Sequence, residues 1–205
     1  MYVLYIPQSL KSMANWCAWK LEQRNGRMTK VPYQTNGKRA SSTDRNTWTT
    51  FDAVSELLSK DNRYNGHGFM LSDGVIFVDV DHCIDNGAID KRGADVLSAF
   101  PQSFAEISQS GHGLHILTRG MIPRSFHNQK LGVEMYGHSR FCALTGQAIQ
   151  ALEPTQEQDG VNYIFNKYGT RNRINSAYTL CNSNNTDRWV ICPCFSHYRR
   201  KRTEL

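Results

Sequence analysis

The chain has 205 residues, 40% of them hydrophobic, which is enough for one domain with a sizeable core and a tail. Its apolar runs fall well short of the ~18 residues of a membrane span, and Met1 to Lys11 has no basic region followed by an apolar core, so neither a span nor a secretory signal is expected. The net charge of +6 is concentrated in residues 168–205, where seven Lys/Arg face two acids; the body is nearly balanced, and composition alone does not establish nucleic-acid binding.

In chain order, residues 3–14 are expected to form a short helix, with Pro7 near its start and Leu10 and Met13 three apart. Residues 15–21 alternate Trp16, Ala18 and Lys20 against Cys17, Trp19 and Leu21, as a strand does. Gln23-Arg24-Asn25-Gly26 is a turn, and residues 28–33 return as a strand that Pro32 places at an edge. After a polar loop over 35–44, a helix capped near Thr47 or Thr50 carries Phe51, Val54, Leu57 and Leu58 on one face. Residues 68–71 and 75–81 flank Asp73-Gly74, which predicts a hairpin between them. A polar loop over 85–92 leads to a short helix through Val96, Leu97 and Phe100. Four more strands are expected, at 104–108, 113–118, 131–136 and 140–145, punctuated by Gly111, Gly120, Gly137 and Gly146, then a helix near 160–167. The body is therefore of the α+β class with mostly antiparallel pairing. Cys17, Cys83 and Cys142 sit in apolar strand contexts that suit buried, reduced thiols, and a cytoplasmic compartment is inferred.

The stretch Val75-Ile76-Phe77-Val78-Asp79-Val80-Asp81 stands out. Aspartate is disfavoured in strands, yet two close an otherwise apolar one, and alternation puts both on one face. Close carboxylates repel unless a proton or cation lies between them, and Mg2+ takes such oxygen ligands. A solvated Asp-rich turn is the alternative. Three more features accompany the pair. Ser108-Gln109-Ser110-Gly111-His112-Gly113-Leu114-His115 is a Ser/Gly turn feeding a strand with a histidine, suited to holding an anion on backbone N–H groups. Val133-Glu134-Met135-Tyr136 is a strand with one acid in an apolar setting. Arg140-Phe141, followed by Thr145-Gly146, offers a guanidinium fork that matches phosphate oxygens. Each has an ordinary reading, as hairpin turn, solvent face or surface arginine. Together, carboxylates, a histidine and a phosphate-binding turn are what two-metal phosphoryl transfer requires.

These motifs resemble the archaeo-eukaryotic primase superfamily, in particular the bifunctional primase-polymerase domains of phages, prophages and plasmids. Trp16 and Trp19, Lys30-Val31-Pro32-Tyr33, Ala40, Asp44, Thr47-Trp48 and Phe51 extend the likeness, which covers about residues 14–150; Gln109 stands where many relatives have proline. The resemblance implies an RRM-like, mostly antiparallel sheet packed with an N-terminal α/β module, and a catalytic domain over 1–167. It implies that Asp79, Asp81 and Glu134 bind two Mg2+ or Mn2+ ions and that His115, with Ser110 and Gly111, meets the nucleotide phosphates, with Arg140 and Lys30 as further phosphate contacts. The substrates implied are a single-stranded DNA template and an NTP or dNTP, with a replicative helicase as partner and no membrane. Trp16, Trp19 and Tyr136 suit base stacking, although aromatics at strand spacing are more often core.

From Thr170 periodicity fades, and residues 168–205 read as a basic, poorly ordered tail. Cys181, Cys192, Cys194 and His197 have the donors for zinc, but their spacing matches no common module, and free thiols are the preferred reading. No P-loop is present, so the chain reads as a stand-alone primase or a shortened copy of a longer one. Two rival functions stay open: a metal-dependent nuclease, and an inactive module that binds single-stranded DNA. A relaxase is disfavoured because His112 and His115 are three apart and face opposite sides of a strand.

Overall fold

A computed structural model describes residues 3–169, which lie within one compact unit. The tail from Thr170, with its candidate zinc ligands Cys181, Cys192, Cys194 and His197, lies outside the described residues.

The chain starts with β1 (Val3–Leu4) and α1 (Gln8–Lys11), then the hairpin β2 (Trp16–Arg24) and β3 (Arg27–Tyr33). Asn25 and Gly26 at its turn both have positive φ, 49° and 76°, which suits the right-handed twist of a two-residue hairpin. Next come α2 (Phe51–Lys60), β4 (Gly66–Met70) and β5 (Val75–Val80). The Thr50 hydroxyl caps α2 by accepting from the Ala53 N–H at 3.3 Å, with Asp52 in the first turn and Lys60 in the last, where the helix dipole favours them. A small hairpin, β6 (Ile84–Asp85) and β7 (Ala88–Ile89), precedes α3 (Lys91–Ser98). The rest is β8 (Phe104–Ile107), β9 (Leu114–Arg119), β10 (Phe126–Asn128), β11 (Val133–Tyr136), β12 (Phe141–Leu144), β13 (Gln147–Gln150) and α4 (Gln158–Ile164), which runs into a π-helical turn, Phe165–Gly169.

Two main sheets form, both antiparallel. The larger has the order β1-β13-β8-β9-β5-β11-β10, the smaller β12-β4-β2-β3. One face of the larger sheet, with Ile76, Val78, Ile116 and Met135, packs on Val96 and Phe100 around α3 and on Val161 and Ile164 of α4. Its other face, with Val75, Phe77, Phe104 and Leu117, packs on Trp16, Phe69 and Leu144 of the smaller sheet and on Val54 of α2. Both faces of β5 are thus covered, which explains why it reads as a continuous apolar run rather than an alternating one. Asp79 alone within the strand escapes full burial.

Three expectations need correction. Residues 3–14 are not one helix: Val3 and Leu4 pair with Ala148 and Gln147 at the sheet edge, and the helix begins only after Pro7. Asp73-Gly74 does not close a hairpin. Both residues have positive φ and turn the chain, but β4 pairs with β2 and β12 in one sheet while β5 pairs with β9 and β11 in the other. The expected antiparallel setting of the Asp-bearing strand holds through those other partners. The loop over 85–92 contains the β6–β7 hairpin, turned by Asn86 and Gly87, and the first residues of α3. Pro32 lies on β3, at the edge of the smaller sheet, as its missing N–H requires. Among the described residues no helix is long and apolar enough to cross a membrane.

Candidate active site

Residues directly opposite each other in antiparallel strands share a face. Following the register across five neighbouring strands gives His127 on β10, Glu134 on β11, Asp79 on β5, His115 on β9 and Glu106 on β8. This polar row continues the face that packs against the smaller sheet, and it begins where the apolar core stops. Asp81 follows one residue beyond β5 and is exposed. The chain is pinned as it leaves the strand: the Asp81 N–H donates to the Gly132 carbonyl at 2.9 Å. Arg92 donates to the carbonyls of Asp81, His82 and Leu131 at 2.6, 2.9 and 2.7 Å.

His115 is 3% exposed. Its Nδ1 lies 2.9 Å from Glu106 Oε1, and its Nε2 is directed toward Asp79, 3.9 Å from Oδ1. The Phe77 ring meets it edge-on, with centroids 5.0 Å apart. Glu134 is held from three sides: the Tyr136 hydroxyl donates to Oε2 at 2.5 Å, Arg140 approaches the same oxygen at 3.4 Å, and His127 Nε2 lies 3.0 Å from Oε1. The Arg140 guanidinium also lies over the Tyr136 ring, 4.4 Å from its centroid. Burial lifts the Asp79 carboxyl above the ordinary aspartate range. His115 opposes that shift, the Asp81 and Glu134 carboxylates add to it, and Lys30 offsets part of it. Burial, with the hydrogen bond to Glu134, likewise raises the Tyr136 hydroxyl.

A cleft of about 730 Å³ opens over this end of the row, between β3 and the loop after it on one side and β5 and β11 on the other. Asp79, Glu134 and Tyr136 line one wall, Lys30 the other, and Arg140 and Phe141 the end. The Ser42 hydroxyl donates to the Ser139 carbonyl at 3.1 Å across its mouth.

The sequence-expected residues are thus placed as follows. Asp79, Glu134, Arg140 and Lys30 line the cleft, and His115 stands behind Asp79. Ser110 and Gly111 lie in the exposed β8–β9 turn, beside the end of β5 but outside the lining of the cleft. The turn comes close to β5 because position 113 is glycine: a Cβ there would stand 2.8 Å from the Val80 carbonyl oxygen. Trp16 and Trp19 are 0% and 2% exposed, so both are core and neither is available to stack on bases. Two members of the row were not anticipated, Glu106 and His127. Glu106 carried the signal that singled out Glu134, one acid in a short apolar strand; His127 lies on a strand too short to register as a pattern.

The donor set suits a hard divalent cation: Asp79, Asp81 and Glu134 offer carboxylate oxygens, and burial together with the other two carboxylates disfavours the charge on Asp79, which a cation would stabilise. Among the described residues no cluster of three or more His, Cys, Asp or Glu side chains forms a ready-made metal cage. Glu134 instead spends its oxygens on Tyr136, Arg140 and His127, so binding a cation there requires it to exchange or share those partners.

No family model matches the chain. Over 195 residues, 87% of this chain, it is 34% identical to a protein of Nitratiruptor phage NrS-1 named DNA primase-polymerase, of which it spans 26%. The chain thus spans about a quarter of the length of that curated relative. The aligned region is long enough to take in the two-sheet body that builds the acidic row and its cleft. This alignment supports assigning the chain to the primase-polymerase family.

Proposed function

We propose that the chain is the catalytic domain of a DNA primase/polymerase, and that residues 1–167 carry out metal-dependent, template-directed nucleotidyl transfer in phage, prophage or plasmid replication. The observation that carries this reading is the pair Glu134–Asp79 on the wall of a cleft that Lys30 and Arg140 also line, with His115 next in the row behind Asp79. The seven-stranded sheet would be the RRM-like core of the family, and the bacterial host cytoplasm its compartment.

In this reading a 3′-hydroxyl attacks the α-phosphate of an NTP or dNTP, and pyrophosphate leaves. Asp79, Asp81 and Glu134 would hold two Mg2+ or Mn2+ ions, which when bound lower the charge on the attacking and leaving oxygens. Lys30 and Arg140 bring positive charge to the phosphates, and Arg140 exchanges its contact with Glu134 for a phosphate oxygen, for which its planar fork is suited. His115 presents Nε2 beside Asp79, where the phosphates would lie. The N–H groups and hydroxyl around Ser110 and Gly111 flank the same end of the sheet. Contacts to the single-stranded template would be electrostatic, with stacking on aromatic rings as a further contribution. A replicative helicase, as a domain or a separate protein, is the proposed partner.

The test is synthesis on single-stranded DNA with labelled nucleotides and Mn2+ or Mg2+. Products longer than any supplied primer, abolished by EDTA, are expected. Shortening of the template would make the protein a nuclease, and tight DNA binding without product would make it a binding module.

A further inference from the structure

Glu106 is fully buried, with 0% exposure, and a carboxylate in such a place is costly unless donors surround it. Three do. His115 Nδ1 lies 2.9 Å from Oε1; the Thr145 N–H lies 3.1 and 3.0 Å from the two oxygens; the Gly146 N–H reaches Oε2 at 2.8 Å. Two of these partners are backbone N–H groups that can only donate. These donors suit an ionised carboxylate, which only accepts, and toward such a group the imidazole presents Nδ1–H. That leaves Nε2 as the nitrogen facing Asp79, whose carboxylate lines the cleft. The Thr145 hydroxyl donates to the Ile107 carbonyl at 2.7 Å, one residue past Glu106, and locks the turn to β8. Thr145 and Gly146 are the link between β12 of the smaller sheet and β13 of the larger.

We propose that Glu106 is a positioning residue for His115: it sets which ring nitrogen faces the nucleotide's phosphates and ties the ring to the Thr145-Gly146 turn that joins the two sheets. The proposal rests on the nucleotidyl-transfer reading for its kinetic consequence, but not for its geometry. It also supplies a physical role for Thr145-Gly146, which reaches no cleft residue yet holds the carboxylate behind the histidine. A buried partner behind a functional histidine fixes the ring's tautomer and orientation, and loss of such partners typically lowers activity about 10–100-fold.

Glu106→Gln is the discriminating variant. Glutamine keeps the shape but must turn its NH2 toward one of three donors. The two backbone N–H groups cannot adapt, so the ring has to change tautomer or rotate. In the full chain labelled with 15N-histidine, the wild type is expected to show a slowly exchanging, downfield Nδ1–H resonance from His115 that is absent from Glu106→Gln and from His115→Ala. Incorporation by Glu106→Gln is expected to fall about 10–100-fold, mainly in kcat, with Mn2+ binding retained. The double variant with His115→Ala should be no slower than His115→Ala alone, because the two residues act as one unit. Additive losses, or a variant as fast as wild type, would overturn the proposal. So would a wild-type ring protonated on Nε2 alone, a readout that needs no variant to fold. If the wild type shows the Nδ1–H signal but makes no product, the nucleotidyl-transfer reading fails and the positioning geometry stands.

Discussion

Asp79→Ala is expected to lower nucleotide incorporation about a thousandfold, equivalent to ~4 kcal/mol of lost transition-state stabilisation. Asp79 sits at the middle of the polar row, directly opposite both Glu134 and His115. A second readout separates this from simple unfolding. Burial raises the Asp79 carboxyl above its ordinary value, so the folded state holds that proton more tightly than the unfolded state. Ionised Asp79 therefore opposes folding at neutral pH, and the opposition fades as pH falls through the raised value. In metal-free buffer at pH 7, Asp79→Asn should melt at a higher temperature than the wild type, and the gap should narrow in acid. Adding Mn2+ should raise the wild-type Tm and leave that of Asp79→Asn nearly unchanged, because a ligand that binds only the folded state stabilises it. Identical melting curves for the two proteins, with and without the cation, would show that Asp79 is neither strained nor a ligand.

Trp16→Ala is expected to destabilise the fold by about 3–5 kcal/mol, a large part of the stability of an ordinary domain. The indole is fully buried, and its Nε1 donates to the Leu10 carbonyl at 2.9 Å. It packs edge-on to Phe51 and Phe69, at 4.9 and 5.1 Å, so one side chain joins α1, α2 and β4. Removal leaves a cavity at the seam of three elements and takes one of the two donors from the Leu10 carbonyl, which keeps the Met13 N–H. Urea unfolding should show a lower midpoint with an unchanged slope. Loss of DNA binding at unchanged stability would instead mean that Trp16 meets bases rather than the core.

Much of the fold could be read from residue order because most strands carry their own signature. The alternation in 15–21, the cap and apolar face of α2, and the apolar run ending in Asp79 are local facts that the structure keeps. The errors arose where the answer depended on a distant partner. Asp73-Gly74 announces a reversal of the chain but says nothing about which sheet each flanking strand joins; that is decided by β2 and β12 on one side and β9 and β11 on the other. Likewise Phe126–Asn128 and Gln147–Gln150 are too short to show a period, and become strands only because Val133–Met135 and Phe104–Ile107 offer them ladders. The site divides in the same way. Asp79, His115 and Glu134 stand in recognisable local patterns, and the register brings them side by side. Glu106 has the same local signature as Glu134, one acid in a short apolar strand, but only the β8–β9 register puts it behind His115, and His127 joins the row by the β10–β11 register alone. The tryptophans illustrate the converse: two rings that suit stacking by type are both buried, Trp16 in the core between the smaller sheet and α2.

The central claim is that the cleft beside Asp79 joins nucleotides under the direction of a template. Single-nucleotide extension on four otherwise identical single-stranded templates, differing only at the first unpaired base, tests it most directly. The wild-type chain with Mn2+ should add the complementary nucleotide on each template and add little without one. Addition of the same nucleotide whatever the template base, or none on any template while the chain still binds the DNA, would contradict it.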